Sequence, residues 1–296
     1  MESVAEMPVT QRLGRCRYLT WIRRRHVPHH HGRMSHRSAT ACATVGLALL
    51  YVSSCTPPIS TQRLKSSDRL LTLDALLSCA DRAAGGDSLR PRAPVSYDID
   101  IVEPAFHAVG RYRATRSGTA RIDIFVDGTR VFSEGWEHDA GWDQRGGDAL
   151  RRVAIPPASG SALQHGIEQP GHLWTLADMT RNGHATALAG RDTVDGVVYY
   201  IVLVTLADGF RNWYWVHPTS CLVERNRNFR AFHPDADSTR KWTETRFSDF
   251  RTTHGITKAW LSTNVEVPSA KVLGTTRVLS LQYDDTATVR TAPVRP

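Results

Sequence analysis

The densest apolar pattern in the chain runs from Asp195 to Val216, DGVVYYIVLVTLADGFRNWYWV. Two β-branched and aromatic runs flank Asp208-Gly209, a dipeptide suited to a tight type I′ hairpin turn. A two-residue loop there predicts Ala207 opposite Phe210, Val204 opposite Trp213 and Val202 opposite Trp215. Side chains alternate along a strand. One face then carries Tyr200, Val202, Val204, Leu206, Trp213 and Trp215, and the other Tyr199, Ile201, Leu203, Tyr214 and Val216. Both faces are apolar, whereas a sheet with one wet side alternates apolar and polar positions. The hairpin is therefore covered on both sides, or one side borders an apolar cavity.

Upstream, Leu73, Leu76, Leu77, Ala80, Ala83 and Ala84 recur at helical spacing, which predicts a helix over 67–84 stopped by Gly85-Gly86. Strands are predicted next: Tyr97–Ile101, Phe106–Ala114, Ala120–Val126 and an interrupted region Val131–Trp142. Asp127-Gly128 is a second tight-turn signal and would set Ile124 against Val131 and Arg121 against Glu134. Residues 156–183 break the strand pattern. Pro156-Pro157 opens the region, Ser159 or Ser161 is a cap for a short helix, Pro170-Gly171 divides the insert, and Leu173, Leu176, Ala177 and Thr180 fall on one face of a second helix ended by Gly183. Strands then resume through Tyr283. Repeated short hairpins argue for an antiparallel meander. The expected fold is α+β and mainly antiparallel β: a curled, unclosed barrel of roughly ten or eleven strands, with an N-terminal helix and a helical lid insert.

The strongest unbroken apolar run is ATACATVGLALLYVSS, residues 39–54. It is short for a bilayer span of about 20 residues, and it has the length and flanks of a signal-peptide core. It ends in Val52-Ser53-Ser54-Cys55, which resembles the lipobox of bacterial lipoproteins, whose cysteine is acylated. Starting at Met34 gives a complete short lipoprotein signal, so 34–54 reads as signal peptide and 1–33 as a leader extension ahead of a mis-assigned start. Residues 55–67 read as a tether, 68–285 as the folded domain and 286–296 as a loose tail.

Charge changes one point. The chain has 296 residues and a net charge of +8. Residues 1–54 hold eight Arg and two Glu, or +6; the remaining 29 Lys and Arg against 27 Asp and Glu give +2. The basicity belongs to the leader, so no nucleic-acid face is expected on the body. Cys16 and Cys42 leave with the leader and Cys55 takes the acyl group. Cys79 and Cys221 remain, either as a disulfide in an oxidising compartment or as two buried thiols.

The order of small motifs is similar to the LolA/LolB-like superfamily of periplasmic lipoprotein-sorting and lipid-binding proteins. The elements that carry the likeness are the helix ending in Gly85-Gly86, Gly135-Trp136 and Gly141-Trp142, the helical insert, and Val194-Asp195-Gly196 leading into a strand. They continue through the Asp208-Gly209 hairpin, His217 to Val223, Phe247-Ser248-Asp249-Phe250-Arg251 and Gly255-Ile256. The chain departs from the family pattern at His217, where Asp is expected. The resemblance covers Leu70 to Asp285. It implies a half-barrel whose concave apolar side takes acyl chains under helices acting as a lid. Such lipoproteins with a residue other than Asp after the acylated cysteine, here Thr56, go to the outer membrane. The implied protein is lipid-anchored to the outer membrane on the periplasmic side of the cell envelope, in lipid or lipoprotein transfer. The alternative is an envelope interaction or sensor module with the same fold and no lipid cargo, whose protein partner the sequence does not identify.

The cavity lining expected from the hairpin is Val202, Val204, Trp213 and Trp215, with Leu163, Ile167, Leu173, Trp174 and Leu176 under the lid; the plain reading is that they are core. No catalytic motif is present: no G-x-S-x-G elbow, no H-E-x-x-H, no C-x-x-C and no phosphate loop. His233-Pro234-Asp235-Ala236-Asp237 reads as a solvated loop, not a metal site. Ser161 and His165 lack an orienting acid. No enzyme activity, cofactor or metal is expected.

Overall fold

The computed structural model of the chain describes residues 71–145 and 151–285. The leader, the signal peptide, Cys55, the tether and the tail lie outside them. The chain enters through helix α1 (Leu73–Ala84), capped by Thr72, whose hydroxyl accepts from the Ala75 amide at 3.2 Å. Leu76, Leu77 and Ala80 form its buried face. Gly85 stops it at φ 74°, in the left-handed region. A Cβ there would sit 1.9 Å from the Gly255 carbonyl oxygen, so the position also needs glycine for close approach. A single turn, α2 (Gly86–Leu89), follows.

All strands among the described residues join one antiparallel sheet of thirteen. The first meander is β1 (Arg92–Glu103), β2 (Phe106–Ala114), β3 (Ala120–Val126), β4 (Thr129–Glu137), β5 (Ala140–Arg145) and β6 (Val153–Ala154). Helices α3 (Pro157–Glu168) and α4 (Asp178–Arg181) come next. The second meander is β7 (Ala185–Val194), β8 (Val197–Thr205), β9 (Arg211–Val216), β10 (Val223–Arg230), β11 (Lys241–Thr253), β12 (Ile256–Glu266) and β13 (Val272–Asp285). Pairing of β1 with β13 joins the two meanders, and β6 and β7 are the sheet's edges. The expected class holds; the strand count rises from ten or eleven to thirteen. One reason is that Val131–Trp142 is two strands. His138-Asp139 makes their turn at φ 52° and 56° without glycine, in a region that His and Asp enter more readily than most residues.

The Asp127-Gly128 turn forms as expected, with both residues at positive φ and Val126 facing Thr129. A bulge between Ile124 and Phe125 then shifts the pairing, so Ile124 faces Phe132 and Arg121 faces Gly135. The Asp208-Gly209 hairpin differs at its origin. Leu206 and Phe210 close a three-residue loop through a 2.8 Å backbone bond, and only Gly209, at φ 87°, is left-handed. That one extra residue sets Leu203 against Trp213, Val202 against Tyr214 and Ile201 against Trp215. A one-residue slip exchanges faces. Val202 and Val204 therefore share a face with Tyr214 and Val216, and Trp213 and Trp215 lie on the other with Tyr199 and Ile201.

The sheet curls strongly. Tyr112 of β2, Ile122 of β3 and Tyr214 of β9 line one cavity. Seven strand steps separate β3 from β9, which in a flat sheet is about 34 Å at roughly 4.8 Å per step. Trp174 likewise packs against the cluster around Tyr97 and the cluster around Tyr214. The helices occupy the concave side. Cys79 of α1 and Cys221 of the β9–β10 loop are joined by a disulfide, with Cα atoms 5.7 Å apart.

Candidate functional site

Residues 155–184 must cross from one sheet edge to the other, because they connect β6 to β7. The start of this strap, α3, packs on β4 and β5. Its end reaches the far side of the curl. The His165 ring stacks on Phe210 at 4.1 Å and bonds the Asp208 carboxylate at 2.6 Å, so, contrary to expectation, His165 does have an acid beside it, brought there by the hairpin loop. Gln169 accepts from Asn212 of β9 at 2.8 Å. Past Pro170 the strap is irregular, not the second helix expected over Leu173–Thr180. The helical turn begins only after Thr175. The Asp178 carboxylate accepts the Thr175 amide at 2.8 Å and the Thr175 hydroxyl at 3.0 Å, and the helical turn spans only Asp178–Arg181.

A buried ionic latch ties the strap to the N-terminal helices. Arg90 bonds Asp178 at 3.0 Å and also Asp81 and Asp87. Thr175 donates to Asp81 at 2.6 Å, and Arg181 pairs with Asp178 at 2.8 Å. Burial by itself would raise the Asp178 pKa, but the Thr175 amide and the Arg90 guanidinium outweigh it, and the net shift is downward. Arg116 completes the junction. It donates to the Leu89 carbonyl at 2.9 Å and lies 4.5 Å from the centre of the Trp174 ring.

Between strap and sheet lies a cavity of about 440 Å³. The floor is aromatic and aliphatic, with Tyr97, Ile99, Tyr112 and Ile122 on the first meander and Phe247, Phe250 and Trp260 on the second. Ala80 and Ala84 of α1 and Cys221 form a side wall, and Pro170 to His172 with Trp174 to Leu176 form the roof. Burial raises the pKa of Tyr97, Tyr112 and Tyr214, so these phenols are neutral at any ordinary pH. His172 packs against Tyr97 and Tyr112, with ring centres 4.7 and 4.9 Å away, while staying open to the cavity. Crowding by protein, and then the Lys258 ammonium, lower its pKa and favour neutral imidazole. Lys258 donates to the Gly171 carbonyl. Burial, and next Arg116, pull its pKa down to about 8, which leaves it mostly protonated at neutral pH.

Of the residues expected to line the cavity, Trp174 and Leu176 do so. Ile167 and Leu173 are buried beside it against Val95 and Tyr97, and Leu163 is half-buried on α3. Val202 and Val204 lie on the concave face but are covered by α1 and Leu176. Trp213 and Trp215 are corrected to the outer face by the hairpin register. There Trp215 donates to Asp192 at 3.1 Å and the Arg227 guanidinium lies 4.7 Å from its ring centre. Tyr97, Tyr112, His172 and Lys258 went unread. Lys258 had a faint signal, as a lone cation in the apolar strand ITKAWL. His233 bonds Glu103 at 3.0 Å, and the Asp237 carboxylate accepts the Thr239 amide at 2.9 Å. Among the described residues no group of three or more His, Cys, Asp or Glu side chains is placed to hold a metal ion.

No family model matches the chain, and no curated protein resembles it in sequence. Solved structures do. A domain of Vibrio parahaemolyticus described as an outer membrane lipoprotein-sorting protein superimposes with a TM-score of 0.50 at 8% identity, over 71% of this chain and 92% of that one. A LolA superfamily protein of Nitrosomonas europaea gives 0.49 at 13% identity, over 73% and 95%. At such identities the likeness is one of fold: the chain has a LolA-like fold.

Proposed function

We propose that this LolA-like half-barrel binds an acyl chain or another hydrophobic ligand in its roofed cavity, in lipid or lipoprotein transfer. It works at the periplasmic side of the outer membrane, held there by an acylated Cys55. The observation that carries the reading is the cavity itself: a walled, mostly aromatic and aliphatic space of about 440 Å³ under a strap latched to the rest of the fold. Ligand pockets are commonly of about 300–1,000 Å³ and mostly apolar with few polar groups. Burying each methylene contributes about 0.8 kcal/mol, so a chain needs few polar contacts to bind. The lipobox-like Val52 to Cys55 and the tether after it support the anchor.

The test is native mass spectrometry of the full chain made in a bacterial envelope host, with displacement of a fluorescent fatty acid. Co-purifying acyl species and displacement at micromolar concentration are expected. An empty protein that displaces nothing refutes the reading in favour of an interaction module. Labelled palmitate should enter the wild type and not Cys55→Ser; incorporation into that variant refutes the anchor.

A further inference from the structure

The lining has a lopsided charge pattern. Among the described residues that wall the cavity, Lys258 is the only lysine, arginine, aspartate or glutamate. Its ammonium donates to the Gly171 carbonyl of the strap and has no carboxylate partner among the described residues. An ammonium has three protons to donate, so two remain for a guest. Asp178, the acid whose charge acts on Lys258, is already engaged by Arg90, Arg181 and Thr175. Arg116 adds positive potential from the same side. Lys258, Trp260 and Ser262 stand at alternate positions of β12, and all three line the cavity.

We infer that the cavity takes a single-chain amphiphile with an anionic head, the head seated at Lys258 under the Gly171–His172 strap and the chain laid along Tyr97, Ile99 and Tyr112. The inference rests on the acyl-binding reading above and narrows it. An anion satisfies the free ammonium protons. An alcohol of equal length fills the same apolar space and can accept from the ammonium but brings no opposite charge, and an alkylammonium meets Lys258 and Arg116 with like charge. Carboxylate and phosphate monoester heads share the required chemistry.

The test is calorimetric titration of the delipidated full chain with dodecanoate, dodecyl phosphate, dodecanol and dodecylammonium, each below its micelle concentration. An anion adds Coulomb attraction that an alcohol lacks, so at least one anion should bind about tenfold or more tighter than dodecanol, and dodecylammonium weakest. Whichever of dodecanoate and dodecyl phosphate binds tighter identifies the head as fatty acid or lipid phosphate. In Lys258→Met the preference of the anion over dodecanol should vanish; Lys258→Arg should keep it. Equal binding of anion and alcohol by the wild type overturns the inference and leaves the acyl-binding reading intact, as does a Lys258→Met protein that keeps the preference. If none of the four binds, the acyl-binding reading fails and takes the inference with it. Should Lys258→Met not fold, the wild-type ranking of the four ligands still decides.

Discussion

Replacing Cys79 and Cys221 with alanine should unfasten α1 from the curled sheet. The bridge spans 142 residues of sequence, and closing a loop of that length removes about 5 kcal/mol of chain entropy from the unfolded state at 25 °C. Unfolded chains are already partly compact, and measured bridges usually contribute about 2–4 kcal/mol. The expected loss is therefore about 3–5 kcal/mol. With a urea slope of about 3 kcal/mol per molar, the midpoint of the double variant should fall by roughly 1–1.7 M. The assay is equilibrium urea unfolding of the full chain under oxidising conditions, followed by tryptophan fluorescence. Reduced wild type should unfold with the same midpoint as the variant. Binding should weaken too, since Ala80, Ala84 and Cys221 form one side wall of the cavity. A midpoint shift below roughly 0.3 M at unchanged slope would refute the reasoning, because the bridge would then not restrain the unfolded chain.

Two further outcomes follow from the latch and the register. Asp178→Asn removes the buried carboxylate that Arg90, Arg181 and Thr175 share and should cost about 3–5 kcal/mol at neutral pH. Because the folded pKa of Asp178 lies below its unfolded value, its contribution is present above about pH 4 and lost as pH falls further. Wild-type stability should thus decline on that acid limb more steeply than the variant's, and parallel acid limbs in pH-dependent urea melts would contradict the latch. Trp213→Ala should cost about 3–5 kcal/mol of stability and leave fatty-acid displacement unchanged in the folded protein. Ile99→Trp, which points bulk into the cavity, should weaken displacement by tenfold or more; the opposite pattern would return the tryptophans to the lining.

Local chemistry explains which parts of the fold were legible. The helix over Leu73–Ala84 follows from apolar spacing and from Gly85, both short-range signals. The Asp127-Gly128 turn was readable because both residues take positive φ, which Asp tolerates and glycine favours. The Asp208-Gly209 loop contains the same dipeptide, yet there Asp208 keeps negative φ and its carboxylate accepts the Phe210 amide at 2.9 Å. Two loop lengths fit one dipeptide, and flanking strands that are apolar on both faces gave no preference between them. The strap was misread for a different reason. Leu173, Leu176 and Ala177 have helical spacing, but Thr175 is held by the Asp178 carboxylate and the helical turn spans only Asp178–Arg181. His138-Asp139 stayed hidden because its turn contains no glycine.

The sequence by itself determined the antiparallel meander, the helix before it, the break at 156–183 and an apolar hairpin that had to be covered on both faces. These depend on periodicity and on residues a few positions apart. Only the tertiary structure decided which hairpin face meets α1, that Cys79 reaches Cys221, and that Lys258 lines the cavity. Each of those rests on contacts across many strands of a curled sheet. The curl brings β3 within one cavity's width of β9, and no local pattern specifies it.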